Sequence, residues 1–485
     1  MSLLQLNDIS VHDGATQLVA PVSLTLEPGV PLIILGETGS GKSLLAQAVM
    51  GTLPQGLTAR GRITLGKDQL DPAHPARFRA LWGRRIAVLP QEPWLSLDPL
   101  MRAAPQIAET HHLVRGLTRS DAAVQAQKDL AALDLAAVGQ RYPHELSGGM
   151  AQRVAIAAAR AGGARIVIAD EPTKGLDAAR RDDVARLLLD ALGRDGGLAV
   201  ITHDLALAQM IGGQIIVMRE GCVVEAGRTA AVFAAPTAAY TRELIAADPA
   251  HWPARSTLAT PVSGLAPVKP VVAAKGISLT RGGQRLMGDL DIAVHAGQVL
   301  GITGPSGCGK SSLGDVLLGL LAPDAGEVTR APGLPRTALQ KLYQDPVAAF
   351  PPRRKLGVTL ADVAALHGAK AQDIPAQMAR LRLDPALLQR LPGAVSGGEL
   401  QRLALLRVML ARPAFIFADE PTSRLDPITQ REVIALLRKV ATEDGVAVVL
   451  VSHDMALIDK TADRVVRLGA GAQEQAPALQ KAYAG

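Results

Sequence analysis

Eight residues with one spacing occur twice in the chain. Gly36-Glu37-Thr38-Gly39-Ser40-Gly41-Lys42-Ser43 returns as Gly304-Pro305-Ser306-Gly307-Cys308-Gly309-Lys310-Ser311, and both copies match G-x-x-x-x-G-K-[ST] without a mismatch. These residue types suit one task. Glycines let backbone N–H groups turn inward around a phosphate, and a helix starting near the lysine adds the favourable end of its dipole. Lys42 and Lys310 then reach the β- and γ-phosphates of a nucleotide, and Ser43 and Ser311 hold Mg²⁺.

Three more constellations recur in the same order. Asp170-Glu171-Pro172-Thr173 returns as Asp419-Glu420-Pro421-Thr422, each after a run of apolar residues. Asp170 and Asp419 end those runs where a carboxylate meets Mg²⁺, usually through water. Glu171 and Glu420 are placed to orient or deprotonate an attacking water. Ser147-Gly148-Gly149 returns as Ser396-Gly397-Gly398; the glycines open what should be helices, whose N–H groups offer a second anion site for a γ-phosphate. His203-Asp204 returns as His453-Asp454, each after an apolar strand. One order of motifs met twice marks a tandem duplication.

The elements that must position these residues follow from local pattern. Pro31-Leu32-Ile33-Ile34-Leu35 and Val299-Leu300-Gly301-Ile302-Thr303 enter the two Gly-rich loops as short apolar runs, which suit strands buried on both faces. Residues 44–50 and 312–321 read as the helices that follow. Residues 166–169 and 415–418 read as buried strands ending in the acidic pairs. Alternating strands and helices define an α/β fold with a mostly parallel sheet in each half. The seam is HWPARSTLATPVSGLAPVKP, rich in Pro, Ser, Thr and Ala and without helical period. The expected division is a first domain at 1–250 with a short C-terminal extension, a linker at 251–270 and a second domain at 271–485.

Composition narrows the class. At 485 residues the chain is too long for one ordinary core, and with 48% hydrophobic and 20% charged residues it is globular. Aromatics make up only 2%, so the cores must be built from Ala, Leu, Val and Ile. The 51 basic residues are interleaved with 45 acidic ones, and no block of like charge points to nucleic acid. The two cysteines, Cys222 and Cys308, have no metal-ligand spacing, which argues against a disulfide framework, a zinc site or an iron–sulfur cluster. Residues 1–13 have no basic leader followed by an apolar core, and no stretch approaches the ~20 continuous apolar residues of a membrane span.

These motifs resemble the ATP-binding-cassette superfamily over nearly the whole chain: two tandem P-loop NTPase domains, each a mostly parallel sheet core with a helical signature subdomain. The resemblance implies ATP and Mg²⁺ as ligands and an intramolecular sandwich, in which each ATP lies between one domain's Gly-rich loop and the other's Ser-Gly-Gly signature. Site one would combine Lys42, Ser43, Gln91, Asp170, Glu171 and His203 with Ser396, Gly397 and Gly398. Site two would combine Lys310, Ser311, Gln344, Asp419, Glu420 and His453 with Ser147, Gly148 and Gly149. In this family Gln91 and Gln344 match the glutamine that touches Mg²⁺ and water and links to a membrane partner. His203 and His453 match the histidine that senses the γ-phosphate. Asp177 and Asp426 match an aspartate that communicates across the dimer.

Arg141-Tyr142-Pro143-His144-Glu145-Leu146-Ser147-Gly148-Gly149-Met150 is similar to the oligopeptide, dipeptide and nickel import ATPases of bacteria. So are Gln91-Glu92-Pro93, Leu95-Ser96-Leu97-Asp98-Pro99 and the stretch PTAAYTREL at 236–244. The resemblance implies two integral-membrane permeases, a solute-binding protein and a peripheral place on the cytoplasmic face of the inner membrane. The second signature follows Leu391-Pro392-Gly393-Ala394-Val395 rather than Tyr-Pro-His-Glu-Leu, a departure from that group. Residues 245–270 lack the cysteines that hold an iron–sulfur cluster in many peptide-import ATPases, so none is expected. The adenine-stacking aromatic of the family is replaced by His12 in the first half, and by Leu279, Thr280 and Arg281 in the second. Cys308 is expected to be a small filler in the second loop. Soluble tandem cassettes acting on ribosomes or DNA carry a charged inter-domain arm or zinc-binding cysteines, and fused sugar importers usually lack an intact second loop. None of these features fits this chain.

Overall fold

The computed structural model describes residues 2–469 and 473–475, apart from 175, 177, 254–268 and 306. Runs of aliphatic residues without polar alternation form the centre of each half. Leu32–Leu35, Gly197–Thr202, Val299–Thr303 and Ala447–Val451 are buried at every position, as strands covered on both faces must be. The chain divides into two compact units, Met1–Ile245 and Ala246–Gly485.

In the first unit six strands form one sheet, in the order Cys222–Arg228, Gln214–Arg219, Leu32–Leu35, Gly197–Thr202, Ile166–Asp170, Ile86–Leu89. All pairs are parallel except the edge pair Cys222–Arg228 with Gln214–Arg219. A four-stranded sheet carries Thr16–Leu26, Leu4–Asp13, Leu57–Leu65 and Asp68–Leu70, antiparallel throughout. Its Ile9, Val11, Val19 and Ile63 share a core with Ile34, Ile168, Ile201 and the helix Lys42–Met50. A separate core joins the helices Ala103–Leu113, Arg119–Ala132 and Gly148–Arg160 through Ala103, Ala126, Leu130, Val154 and Ala155. Alanines at these contacts let helix backbones approach closely, which is how a domain with so few aromatics closes its interior.

The second unit repeats the plan. Leu339–Leu342, Phe415–Asp419, Ala447–Val451, Val299–Thr303, Arg464–Arg467 and Gln473–Gln475 lie in that spatial order, with only the last pair antiparallel among the described strands. A three-stranded antiparallel sheet, Gln284–Val294, Val272–Arg281 and Ala325–Arg330, stands for the four-stranded one. Phe415 and Phe417 are fully buried, and Phe417 lies so near the helix Lys310–Leu318 that a Cβ on Gly314 would come within 2.3 Å of its ring. Residues 246–252 belong with this unit. Trp252 packs on its core and donates its indole N–H to the Ala247 carbonyl at 2.9 Å.

Three helix boundaries differ from the sequence expectation. The helices after the Gly-rich loops begin at Lys42 and Lys310, two residues earlier, because Gly41 and Gly309 adopt φ of 94° and 100° and turn the chain directly into the first helical residue. The second ends at Leu318 instead of running to 321. Gly319 is left-handed (φ 76°), and the Leu320 N–H returns to the Asp315 carbonyl at 2.8 Å. No described helix is long and apolar enough to cross a membrane.

Candidate active site

Parallel register brings the recurring motifs to one edge in each unit. In the first, the Gly-rich loop, Gln91, Asp170 and His203 all follow the C-terminal ends of neighbouring parallel strands. The crevice at such ends is where open α/β sheets bind ligands. The second unit places its Gly-rich loop, Gln344, Asp419 and His453 in the same way.

Both lysines are buried and fold onto their own loops. Lys42 Nζ donates to the Gly36 and Glu37 carbonyls, each at 2.7 Å, and lies 3.5 Å from Ser40 Oγ. Lys310 Nζ donates to the Gly304 and Pro305 carbonyls at 2.9 and 3.1 Å. Ser43 Oγ lies 3.4 Å from Asp170 Oδ1. Burial pushes the Asp170 carboxyl up, and the neighbouring Glu171 charge adds to it. Asp419 is likewise raised, chiefly by burial, against a hydrogen bond from Ser311 and the charge of Lys341. A hydroxyl and a carboxylate side by side are hard oxygen donors, so Ser43 with Asp170, and Ser311 with Asp419, fit Mg²⁺.

The glutamates share an unusual backbone. Glu171 and Glu420 have φ of 48° and 45°, the left-handed region that costs a non-glycine residue about 1 kcal/mol or more. Their N–H groups donate to Ile201 and Val451 at 2.8 and 3.2 Å, and these bonds hold the turn. Glu171 Oε2 meets His203 Nδ1 at 2.8 Å. Burial alone would raise Glu171, but His203 more than offsets it and the carboxyl ends below its usual range. Burial likewise works against charge on His203, and Glu171 carries its pKa above the ordinary value. In the second unit Glu420 faces Gln344 Nε2 (3.2 Å), His453 Nδ1 (3.4 Å) and Lys310 Nζ (3.7 Å). His453 and Lys310 hold its carboxyl low against the burial that would raise it.

Gln344 thus reaches its glutamate, whereas Gln91 is exposed and makes no such bond to Glu171 among the described residues. Ser147 and Ser396 cap the helices Gly148–Arg160 and Gly397–Leu410, accepting from the N–H groups of Met150 and Glu399 at 3.3 Å each. The signature glycines therefore do open helices. Buried Gln152 and Gln401 on these helices donate to the Pro172 and Tyr343 carbonyls at 2.7 and 3.5 Å, tying each signature helix to a loop of its own unit. Asp426 is buried and caps the helix Pro427–Asp444 through Thr429. Asp177 and Ser306 lie outside the described residues. His12 contacts Ser10 Oγ at 3.1 Å, and Cys308 is half-buried against the second unit's core.

One charged neighbour was not anticipated. Lys341 Nζ lies 2.9 Å from Asp315 Oδ1 and 3.6 Å from Asp419 Oδ2. The strand registers make Val88 its counterpart in the first unit, and Gln47 stands at the place of Asp315. No local sequence signal marks Lys341, because the strand Leu339–Leu342 meets the acidic strand only through parallel pairing.

The sequence profile of the ABC transporter family matches residues 19–174 and 287–423. The chain belongs to that family and is an ATPase of the ABC type. It is 34% identical over 514 aligned residues to the peptidoglycan transport ATP-binding protein YejF of Agrobacterium fabrum, covering 99% of this chain and 93% of that protein. It is 33% identical to the glutathione import ATP-binding protein GsiA of Escherichia coli K12, covering 92% of this chain and 81% of the relative. Among solved structures, one titled RNase-L Inhibitor superposes with a TM-score of 0.63 at 21% identity, covering 97% of this chain and 90% of that one. That likeness is one of fold alone.

Proposed function

We propose that this chain is the ATP-hydrolysing, energy-coupling subunit of a bacterial importer for peptides or a related polar solute such as a metal chelate. One observation carries the reading: each unit holds its own full set of lysine, serine, aspartate, glutamate and histidine. The import relatives, over nearly their whole length, support the coupling to transport. The cargoes in their names, glutathione and peptidoglycan, both contain short peptides, which favours a peptide-bearing solute.

Lys42 and Lys310 leave their loop carbonyls for phosphate oxygens when ATP enters. Ser43 with Asp170, and Ser311 with Asp419, would hold Mg²⁺, which would supply charge neutralisation at the phosphates. Glu171 and Glu420 orient a water and take its proton; their left-handed backbone aims each carboxylate at that water. His203 and His453 fix those carboxylates. The signature of each unit closes over the nucleotide of the other, and the cycle of closure and opening drives two separate permeases, with a solute-binding protein delivering the cargo. The chain works from the cytoplasmic face of the membrane.

The test is purification of the tagged chain from native membranes in mild detergent, with co-purifying chains identified by mass spectrometry. Two integral-membrane permeases are expected. Ribosomal proteins or DNA-repair factors without a permease would overturn the transport reading and leave the ATPase.

A further inference from the structure

The second residue of the first phosphate loop is held by a side chain 203 positions away. The Glu37 N–H donates to the Tyr240 hydroxyl at 3.1 Å. Tyr240 lies on the helix Ala239–Ala246, beyond the stretch that the family profile matches. It is 5% exposed, and the Arg219 guanidinium sits 5.0 Å from its ring centroid. The chain leading into its helix is anchored by Glu225, whose carboxylate accepts from Thr237 N (2.8 Å), Thr237 Oγ1 (2.9 Å) and Ala238 N (3.1 Å). The hydroxyl is therefore delivered to the loop by a packed and capped element.

Peptide geometry carries this contact to the lysine. The Glu37 N–H and the Gly36 C=O belong to one planar trans amide and point to opposite sides. With the N–H on Tyr240, the carbonyl faces the other way, where it accepts from Lys42 Nζ at 2.7 Å. The second loop has no equivalent. Pro305 stands where Glu37 stands in the first, and proline has no N–H to donate.

We infer that Tyr240 is a positioning residue for the first nucleotide site alone: it sets the Gly36–Glu37 peptide, and through it the Lys42 ammonium, before nucleotide arrives. A loop already ordered loses less entropy on binding, so the hydroxyl makes the first site bind ATP more tightly than it otherwise would. The inference rests on the reading of Lys42 as a phosphate ligand.

The experiment uses the full chain and a fluorescent ATP analogue. Lys310→Ala leaves the first site to be read, and Lys42→Ala leaves the second. Tyr240→Phe removes the hydroxyl and keeps the ring. In the Lys310→Ala background it should raise the dissociation constant about twofold to tenfold, the span of one neutral hydrogen bond. It should leave the Lys42→Ala background unchanged. In steady state it should raise KM and spare kcat, with an unaltered melting temperature. Glu37→Pro, which copies the second loop, should give the same weakening, and Tyr240→Phe should add nothing on top of it. Equal affinities with and without the hydroxyl, or equal losses at both sites, would overturn the inference. If Lys42→Ala itself leaves first-site affinity intact, the phosphate-ligand reading falls and takes the inference with it.

Discussion

Replacing Lys341 with the valine found at its counterpart, Val88, should destabilise the second unit. Lys341 is 12% exposed, between Asp419 at 11% and Asp315 at 37%. At an effective dielectric constant of about 20, charges 2.9 and 3.6 Å apart attract by about 5 kcal/mol each before desolvation. Removing one member of a buried pair costs about 3–5 kcal/mol, because the partner charge stays behind. Solvent reaches Asp315 and screens its share, so about 2–3 kcal/mol remains, or a fall of roughly 5–10 °C in the transition of a unit of this size. The sign with pH follows from the carboxylates. Asp419 is already raised by burial, and Lys341 is among the groups that lower it. Its ionised form is thus the costly one, and losing Lys341 makes it costlier. The deficit of Lys341→Val should be full near neutral pH and shrink as pH falls through the carboxylate range. Calorimetry of the whole chain reads it, with the two units followed as separate transitions. The double variant Lys341→Val/Asp315→Gln, which installs the first unit's own Val88 and Gln47 pairing, should recover only the smaller, solvent-screened share, because the buried Asp419 keeps its unpaired charge. A neutral single variant, or a double variant as stable as the wild type, would refute the reasoning.

Glu171→Gln and Glu420→Gln together should lower steady-state hydrolysis by about 10²–10⁴-fold, the usual share of a general base, while equilibrium dialysis finds ATP still bound. Substantial turnover by that pair of changes would remove the general-base assignment. In a Cys222→Ser background, a maleimide should modify Cys308 and abolish nucleotide binding at the second loop while the first loop still binds; ATP protection of the thiol, read by mass spectrometry, checks it. Glu225→Gln should cost about 1 kcal/mol near neutral pH after allowance for solvent. Burial would raise the Glu225 carboxyl, but hydrogen bonds from Thr237 and Ala238 bring it below its ordinary value. The wild-type advantage is therefore present above the unfolded pKa of about 4.3 and is lost as pH falls through the lower folded value. Melting curves in buffers on either side of that window test the sign.

Much of this protein is legible in short stretches of chain. The duplication, the buried strands read at 31–35 and 415–418 and the presence of a helix behind each lysine all follow from periodicity and glycine placement, because burial on both faces and left-handed turns demand particular residues locally. The same holds for the carboxylates at strand ends. Gly319 shows where local reading was available and slipped, since a glycine there should have ended the helix. Other features exist only once distant segments meet. Glu171 and Glu420 carry no sign in their neighbours that their backbone is left-handed; the turn is held by carbonyls some 30 residues on, at Ile201 and Val451. Lys341 reads as an ordinary surface lysine until parallel pairing sets its strand beside Phe415–Asp419. Tyr240 is only one letter of the stretch PTAAYTREL until its helix returns to the loop at Glu37. Motif chemistry is written in residue type and spacing, which local sterics enforce. The partners that tune each motif are chosen by long-range packing, which one stretch of sequence does not contain.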